Sequence, residues 1–164
     1  MKNGTSRPVG RFAGFTLGGA AIVVTFFFGT LCVLNFLYPE FPRNFDIRSL
    51  PRQTGSLEVN GSAKAIQGTN PAGFLSYGPY VDLEPGNYTA VVAVICNAAN
   101  NNLVDVVSNV GKINLGKKNF ACGSAREELR IPFELTQRAT GLEIRVFFGG
   151  NGAMQLMSLR LERN

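Results

Sequence analysis

The sequence predicts an all-β fold, an antiparallel jelly-roll β-sandwich, preceded by one N-terminal transmembrane helix. Two observations carry the first half of that statement. Short β-type runs recur after residue 56 with turn residues between them, and no window there has the periodicity of an amphipathic helix. Eight or so strands at such spacing pack as two sheets. A third observation carries the second half: residues 12–38 hold no charge, between Arg11 and Glu40.

At 1.5 Å per helical residue that run reaches about 40 Å, enough to cross the hydrocarbon core with tilt. Lys2, Arg7 and Arg11 precede it and no acid does, so the positive-inside rule leaves residues 1–11 in the cytoplasm. The C-terminal domain is then periplasmic or otherwise extracytoplasmic, and the protein a single-pass component of the inner (plasma) membrane. A cleaved signal peptide is the rival reading, but its apolar region is usually about 7–15 residues and ends at small residues. Leu37-Tyr38-Pro39-Glu40 offers no such site, and Leu31 before Cys32 spoils a lipobox. Within the span, Gly14 and Gly18 form a GxxxG pair that favours helix packing and oligomerisation through the helix, although glycine is also common in membrane helices for no such reason.

Composition excludes several function classes. Of sixteen Lys and Arg, three precede the span, which leaves thirteen against eleven Asp and Glu. That near balance gives no basic stripe for nucleic acid. Histidine is absent, and with it Ser-His-Asp and Cys-His catalysis and His-ligated zinc. Glu127 and Glu128 are neighbours and point to opposite faces of a strand, whereas a glycosidase needs two carboxylates facing across a cleft. The chain is therefore expected not to be an enzyme. Cys96 and Cys122 both lie in the exported part, where an oxidising compartment favours a disulfide over two buried thiols.

Pro39, Pro42 and Pro51 make residues 39–55 read as a semi-rigid spacer. The sandwich follows over 56–164. Residues 57–66 read as the first strand, with a bulge at Asn60-Gly61, and residues 74–83 end in the turn Glu84-Pro85-Gly86-Asn87. Residues 88–96 are almost wholly apolar, as a central strand covered on both faces should be. Residues 97–102 form a polar loop. Short strands follow at 103–107, 112–115 and 118–122, then alternating ones at 129–135 and 142–148, and 154–161 closes the domain.

The run Tyr77-Gly-Pro-Tyr-Val-Asp-Leu-Glu-Pro-Gly-Asn-Tyr88 resembles the y-G-P-Y-x-x-L-x-x-G-x-Y signature of carbohydrate-binding-module-like jelly rolls. Those domains accompany bacterial glycosyltransferases and surface-polysaccharide proteins. Residues 104–107, 142–146 and 156–161 are similar to later strands of the same family. The resemblance implies a membrane-anchored, carbohydrate-binding-like accessory protein of envelope polysaccharide synthesis or export. Its partners would be a polysaccharide, a glycosyltransferase or another membrane protein. The alternative is a structural subunit of a membrane complex whose β-sandwich binds protein; the lack of tryptophan favours it.

Sugar recognition stacks an aromatic ring on a pyranose face beside polar groups. Tyr77 and Tyr80 flank a Gly-Pro turn and are candidates to present their rings, or else to pack across the sandwich edge. On the strand at 142–148, the period of two puts Glu143, Arg145 and Phe147 on one face, opposite Leu142, Ile144, Val146 and Phe148. Those three form either a glycan-binding surface or a solvated face with a cross-strand ion pair. Asp82, Glu84 and Asp105 are oxygen ligands available to a structural calcium but lack EF-hand spacing. No metal or cofactor is otherwise expected. Gly149-Gly150-Asn151-Gly152 reads as a hairpin, since a phosphate cradle needs a strand-to-helix context.

Overall fold

The computed structural model describes residues 41–97, 101–123 and 125–164. The expected membrane helix at 12–38, its Gly14/Gly18 pair, Cys32 and the cytoplasmic tail lie outside them.

Among the described residues, eleven strands make two antiparallel sheets. They are β1 (Arg43–Phe45), β2 (Ser56–Leu57), β3 (Ala63–Ile66), β4 (Gly73–Ser76), β5 (Pro79–Leu83) and β6 (Gly86–Cys96). Then come β7 (Asn102–Ser108), β8 (Ile113–Phe120), β9 (Arg126–Leu135), β10 (Ala139–Phe148) and β11 (Ala153–Arg163). One sheet runs β2-β3-β11-β6-β9, with β1 also paired to β11; the other runs β4-β10-β7-β8, with β5 also paired to β10. The inward faces share one core, which includes Leu75, Val92, Val94, Val104, Val106, Leu142, Ile144, Val146, Leu156 and Leu161.

Strand β6 is central, as its apolar run predicts, flanked by β9 and β11. Its inward Val92 lies in register with Leu129 and Leu159. Its outward Val91 is buried too, in register with Arg130 on one side and Arg160 on the other. Arg160 pairs with Glu162 at 2.9 Å and Glu128 at 3.2 Å, and Arg130 pairs with the same two acids. The aliphatic stems of these residues cover the apolar strand while their charges stay wet. Tyr88 packs at the start of β6, its ring stacked on Phe133 at 5.7 Å and its hydroxyl donating to the Glu84 carbonyl.

Several boundaries differ from the sequence reading. The spacer expected at 39–55 is structured from Phe41 on, in the same compact unit as the sandwich. There β1 pairs with β11 at Arg43↔Leu161 to Phe45↔Leu159, and a 3-10 turn at Ile47–Ser49 buries Ile47 beside Leu50. Prolines in this stretch still admit edge pairing, and Phe41, Phe45, Ile47 and Leu50 bring the apolar area that fixes it. Residues 57–66 make two strands rather than one bulged strand, because Asn60 caps a tight turn by accepting from the Ser62 amide and hydroxyl. Residues 74–83 are likewise broken, at Gly78-Pro79, into β4 and β5, and residues 112–122 hold one strand, β8, bulged opposite Val106/Val107.

Cys96 and Cys122 are joined, as expected, with 5.6 Å between Cα atoms. The bridge ties the end of β6 in one sheet to the segment leaving β8 in the other.

Gly55 illustrates how tightly the corner before β2 is made. Its φ is +78°, and a Cβ there would stand 2.5 Å from Leu75 Cδ1 and 2.6 Å from the Lys64 carbonyl oxygen. Gly55→Ala is therefore expected to cost about 2 kcal/mol. Urea unfolding should show a lower midpoint at unchanged slope, and an unshifted midpoint would refute the packing.

Candidate functional site

The outward face of the β4-β10-β7-β8 sheet collects the residues singled out from sequence. Alternation along β10 sends Leu142, Ile144, Val146 and Phe148 into the core, each fully buried, and leaves Glu143, Arg145 and Phe147 on the opposite side. Cross-strand register extends that side into rows. Phe147 sits opposite Phe74 of β4 and Leu103 of β7, and Leu103 opposite Asn119 of β8. Arg145 sits opposite Asp105, and Asp105 opposite Lys117. Glu143 sits between Pro79 of β5 and Val107 of β7.

Arg145 is the hub of this face. Its Nε donates to Asp105 Oδ1 at 2.9 Å and its Nη2 to Oδ2 at 2.5 Å, a two-pronged pair in which the Asp105 side chain is only 6% exposed. The hydrogen bonds to Asp105 hold the guanidinium pKa above its usual value. The same guanidinium lies 5.0 Å from the centroid of the Phe74 ring. Phe74 meets Phe147 edge-on at 5.4 Å and Tyr77 at 6.2 Å. These contacts leave the aromatic rings and the ion pair little freedom to reorient.

Tyr80 forms the rim. It is 45% exposed, and its φ of 63° is a left-handed conformation that a bulky residue rarely adopts. Burial and the nearby Glu143 carboxylate raise its hydroxyl pKa, and Tyr77 and Arg145 lie within electrostatic range of it. Across from it, the turn joining β7 to β8 presses on the ion pair: a Cβ at Gly111 would lie 3.3 Å from Arg145 Nη1. Three successive residues of that turn, Asn109, Val110 and Gly111, have positive φ.

Glu143 is 5% exposed. Burial pushes its carboxyl pKa up; Arg145 pulls it back part of the way, and Asp105 adds to the rise. A carboxyl whose folded pKa is raised favours folding when protonated. Its unfavourable contribution grows as pH rises from the unfolded pKa through the folded one. Glu143→Gln should consequently melt higher than the parent near pH 7, by an amount on the order of 1 kcal/mol, and equal it below about pH 4. A gain of the same size at both pH values would contradict the assignment.

At the far end of the face an open groove of about 520 Å³ is lined by Asn101, Leu103, Asn119, Phe120, Ala121 and Phe147. Gly149 lets the chain pass its wall, since a Cβ there would stand 2.8 Å from the Asn101 carbonyl oxygen. The buried Asn102 accepts from the Gly149 amide at 3.0 Å, which fixes the wall in place.

The structure thus gathers Tyr77, Tyr80, Glu143, Arg145 and Phe147 around one surface. The cross-strand ion pair considered for this face is present, and it involves Arg145 rather than Glu143. Asp82, Glu84 and Asp105 are not gathered into a calcium site: Asp82 and Glu84 pair with Arg138, and Asp105 with Arg145. Among the described residues no three His, Cys, Asp or Glu side chains converge as metal ligands. Sequence reasoning missed Phe74, Leu103 and Asn119, and gave Asp105 another role. The alternation in 103–107, with Asp105 set among apolar residues, is the signal that places it on the outer face with Leu103.

No family model matches this sequence, and no curated protein matches it. Solved structures similar in fold are carbohydrate-binding modules. The C-terminal CBM6 of LamC, a marine laminarinase from Zobellia galactanivorans, superposes with a TM-score of 0.53 at 11% identity, covering 74% of this chain and 98% of that one. The module CBM6cm-2 of Cellvibrio mixtus lichenase 5A, solved with cellotriose, gives 0.46 at 16% identity, over 74% and 90% of the two chains. The CBM22-1–GH10 part of Clostridium thermocellum xylanase 10B gives 0.48 at 12% identity, over 75% of this chain and 28% of that one. At such identities the first likeness establishes a β-sandwich of the carbohydrate-binding-module type and nothing about ligand.

Proposed function

We propose that the outward face of the β4-β10-β7-β8 sheet binds a glycan, and that the chain is a non-catalytic accessory protein of envelope polysaccharide synthesis or export. The observation that carries this reading is the clustering of Phe74, Tyr77, Tyr80 and Phe147 around the half-buried Arg145 and the buried Asp105 and Glu143. Rings offer pyranose faces a stacking surface, and charged groups fixed by their neighbours accept or donate to hydroxyls at low entropic cost. From Glu143 to Phe147 the strand advances about 13 Å, a length suited to a short oligosaccharide that continues into the groove beyond. Of the two carboxylates on this face, Asp105 is committed to Arg145, which favours binding over hydrolysis. The uncharged run at 12–38 supports tethering to the membrane, where the domain would hold polymer beside a glycosyltransferase or another membrane partner.

Isothermal titration of the full chain against β-1,3-glucan, cellulose, xylan and chitosan oligosaccharides tests the proposal. At least one should bind, and Tyr80→Ala should weaken it by about tenfold, the loss of one stacking ring. Failure of every oligosaccharide to bind would overturn the reading.

A further inference from the structure

We propose that the glycan bound at this face carries a free amino sugar, whose ammonium sits on Glu143. The inference rests on the glycan-binding reading and narrows it to a ligand class. Glu143 is 5% exposed on the outward side of β10; its carboxylate makes no hydrogen bond or ion pair with any described residue, and its oxygens keep an opening to solvent. The nearest cation does not supply one. Arg145 spends Nε and Nη2 on Asp105, and its Nη1 faces the turn at Gly111. Lys117 is in register with Asp105, two strands away from Glu143, and is exposed.

Glu143 and Asp105 against Arg145 leave one negative charge among aromatic rings. A carboxylate so enclosed that only a narrow opening reaches water is poorly solvated, and an ammonium that enters through that opening offsets the loss. The exposed Tyr80, whose hydroxyl lies within electrostatic range of Glu143, offers an aromatic ring beside it, and ring faces attract cations. A uronic acid would bring a second negative charge to this spot and be repelled. A neutral sugar would offer hydroxyls, which hydrogen-bond a carboxylate without neutralising it.

The test compares three oligosaccharides of equal length on the full chain, at a pH near 6 where a glucosamine amine is protonated: β-1,4-linked glucosamine, its N-acetylated form and a β-1,4-glucan. The glucosamine oligomer should bind at least tenfold more tightly than either of the others, with an affinity that falls as salt rises. Glu143→Gln, checked for folding by its melting curve, should erase that preference, so that the glucosamine oligomer and the neutral oligomers bind the variant within about twofold of one another. Glu143→Asp, which keeps the charge, should retain part of the preference. Neutral oligomers that bind as tightly as the glucosamine oligomer, or a preference that survives Glu143→Gln, would overturn the amino-sugar assignment and leave the glycan reading standing. Loss of all binding across the three and across the wider panel would instead remove the glycan reading, and this inference with it.

Discussion

Val92→Asp is expected to leave most of the protein unfolded at room temperature. Val92 is fully buried at the middle of β6, with Leu129 and Leu159 in register on either side. Strand β6 is an interior member of its sheet, between β9 and β11, so the new carboxylate has no edge through which to reach water. Ionised, it would lack any partner; protonated, it would still leave polar atoms in an apolar core. The expected loss is about 4 kcal/mol or more, close to the whole stability of an ordinary domain. Circular dichroism should show loss of the β signal, and thermal melting should show no cooperative transition near that of the parent. A mutant that melts like the parent would mean that β6 is not where the core sits.

Removing the Cys96–Cys122 bridge should have the next largest effect. The two residues are 26 apart in sequence, and in the chain-entropy account a loop of that size contributes about 3.5 kcal/mol through the unfolded state. The bridge also anchors the segment that carries Ala121 and Phe120, two walls of the groove. Reduction, or the double change Cys96→Ser with Cys122→Ser, should therefore lower the denaturation midpoint and loosen that segment. Hydrogen exchange at 118–123 should quicken more than at β3 or β11. Equal midpoints for oxidised and reduced protein would contradict the contribution assigned to the bridge.

These two predictions rest on features that were legible in the sequence. A run at 88–96 that is apolar but for Thr89 reads as a strand with both faces covered, and the period of two at 142–148 separates Ile144 and Val146 from Glu143 and Arg145 without ambiguity. Two cysteines beyond the uncharged run leave one pairing. What could not be read depends on partners distant in sequence. Arg43 to Phe45 is too short to announce itself and becomes a strand only because β11 offers an edge. Asp105 lies 40 residues from Arg145, so the pair at the centre of the candidate site exists only once β7 and β10 align. Phe74 is an unremarkable aromatic until register puts it beside Phe147 and under the Arg145 guanidinium. The left-handed backbone of Tyr80 is likewise a product of the chain entering β5 after a Gly-Pro step, and residue type alone gives no hint of it.

Ligand is expected to meet the protein on the outward face of the β4-β10-β7-β8 sheet. Hydrogen–deuterium exchange of the full chain, with and without a saturating concentration of the tightest-binding oligosaccharide from the panel, tests it most directly. Protection should be confined to β4, β5, β7, β8 and β10, centred on residues 74–80, 103–107 and 143–147, with the outward Arg130/Arg160 face of the other sheet unchanged. Protection on β6, β9 and β11 instead, with residues 143–147 unaffected, would contradict it.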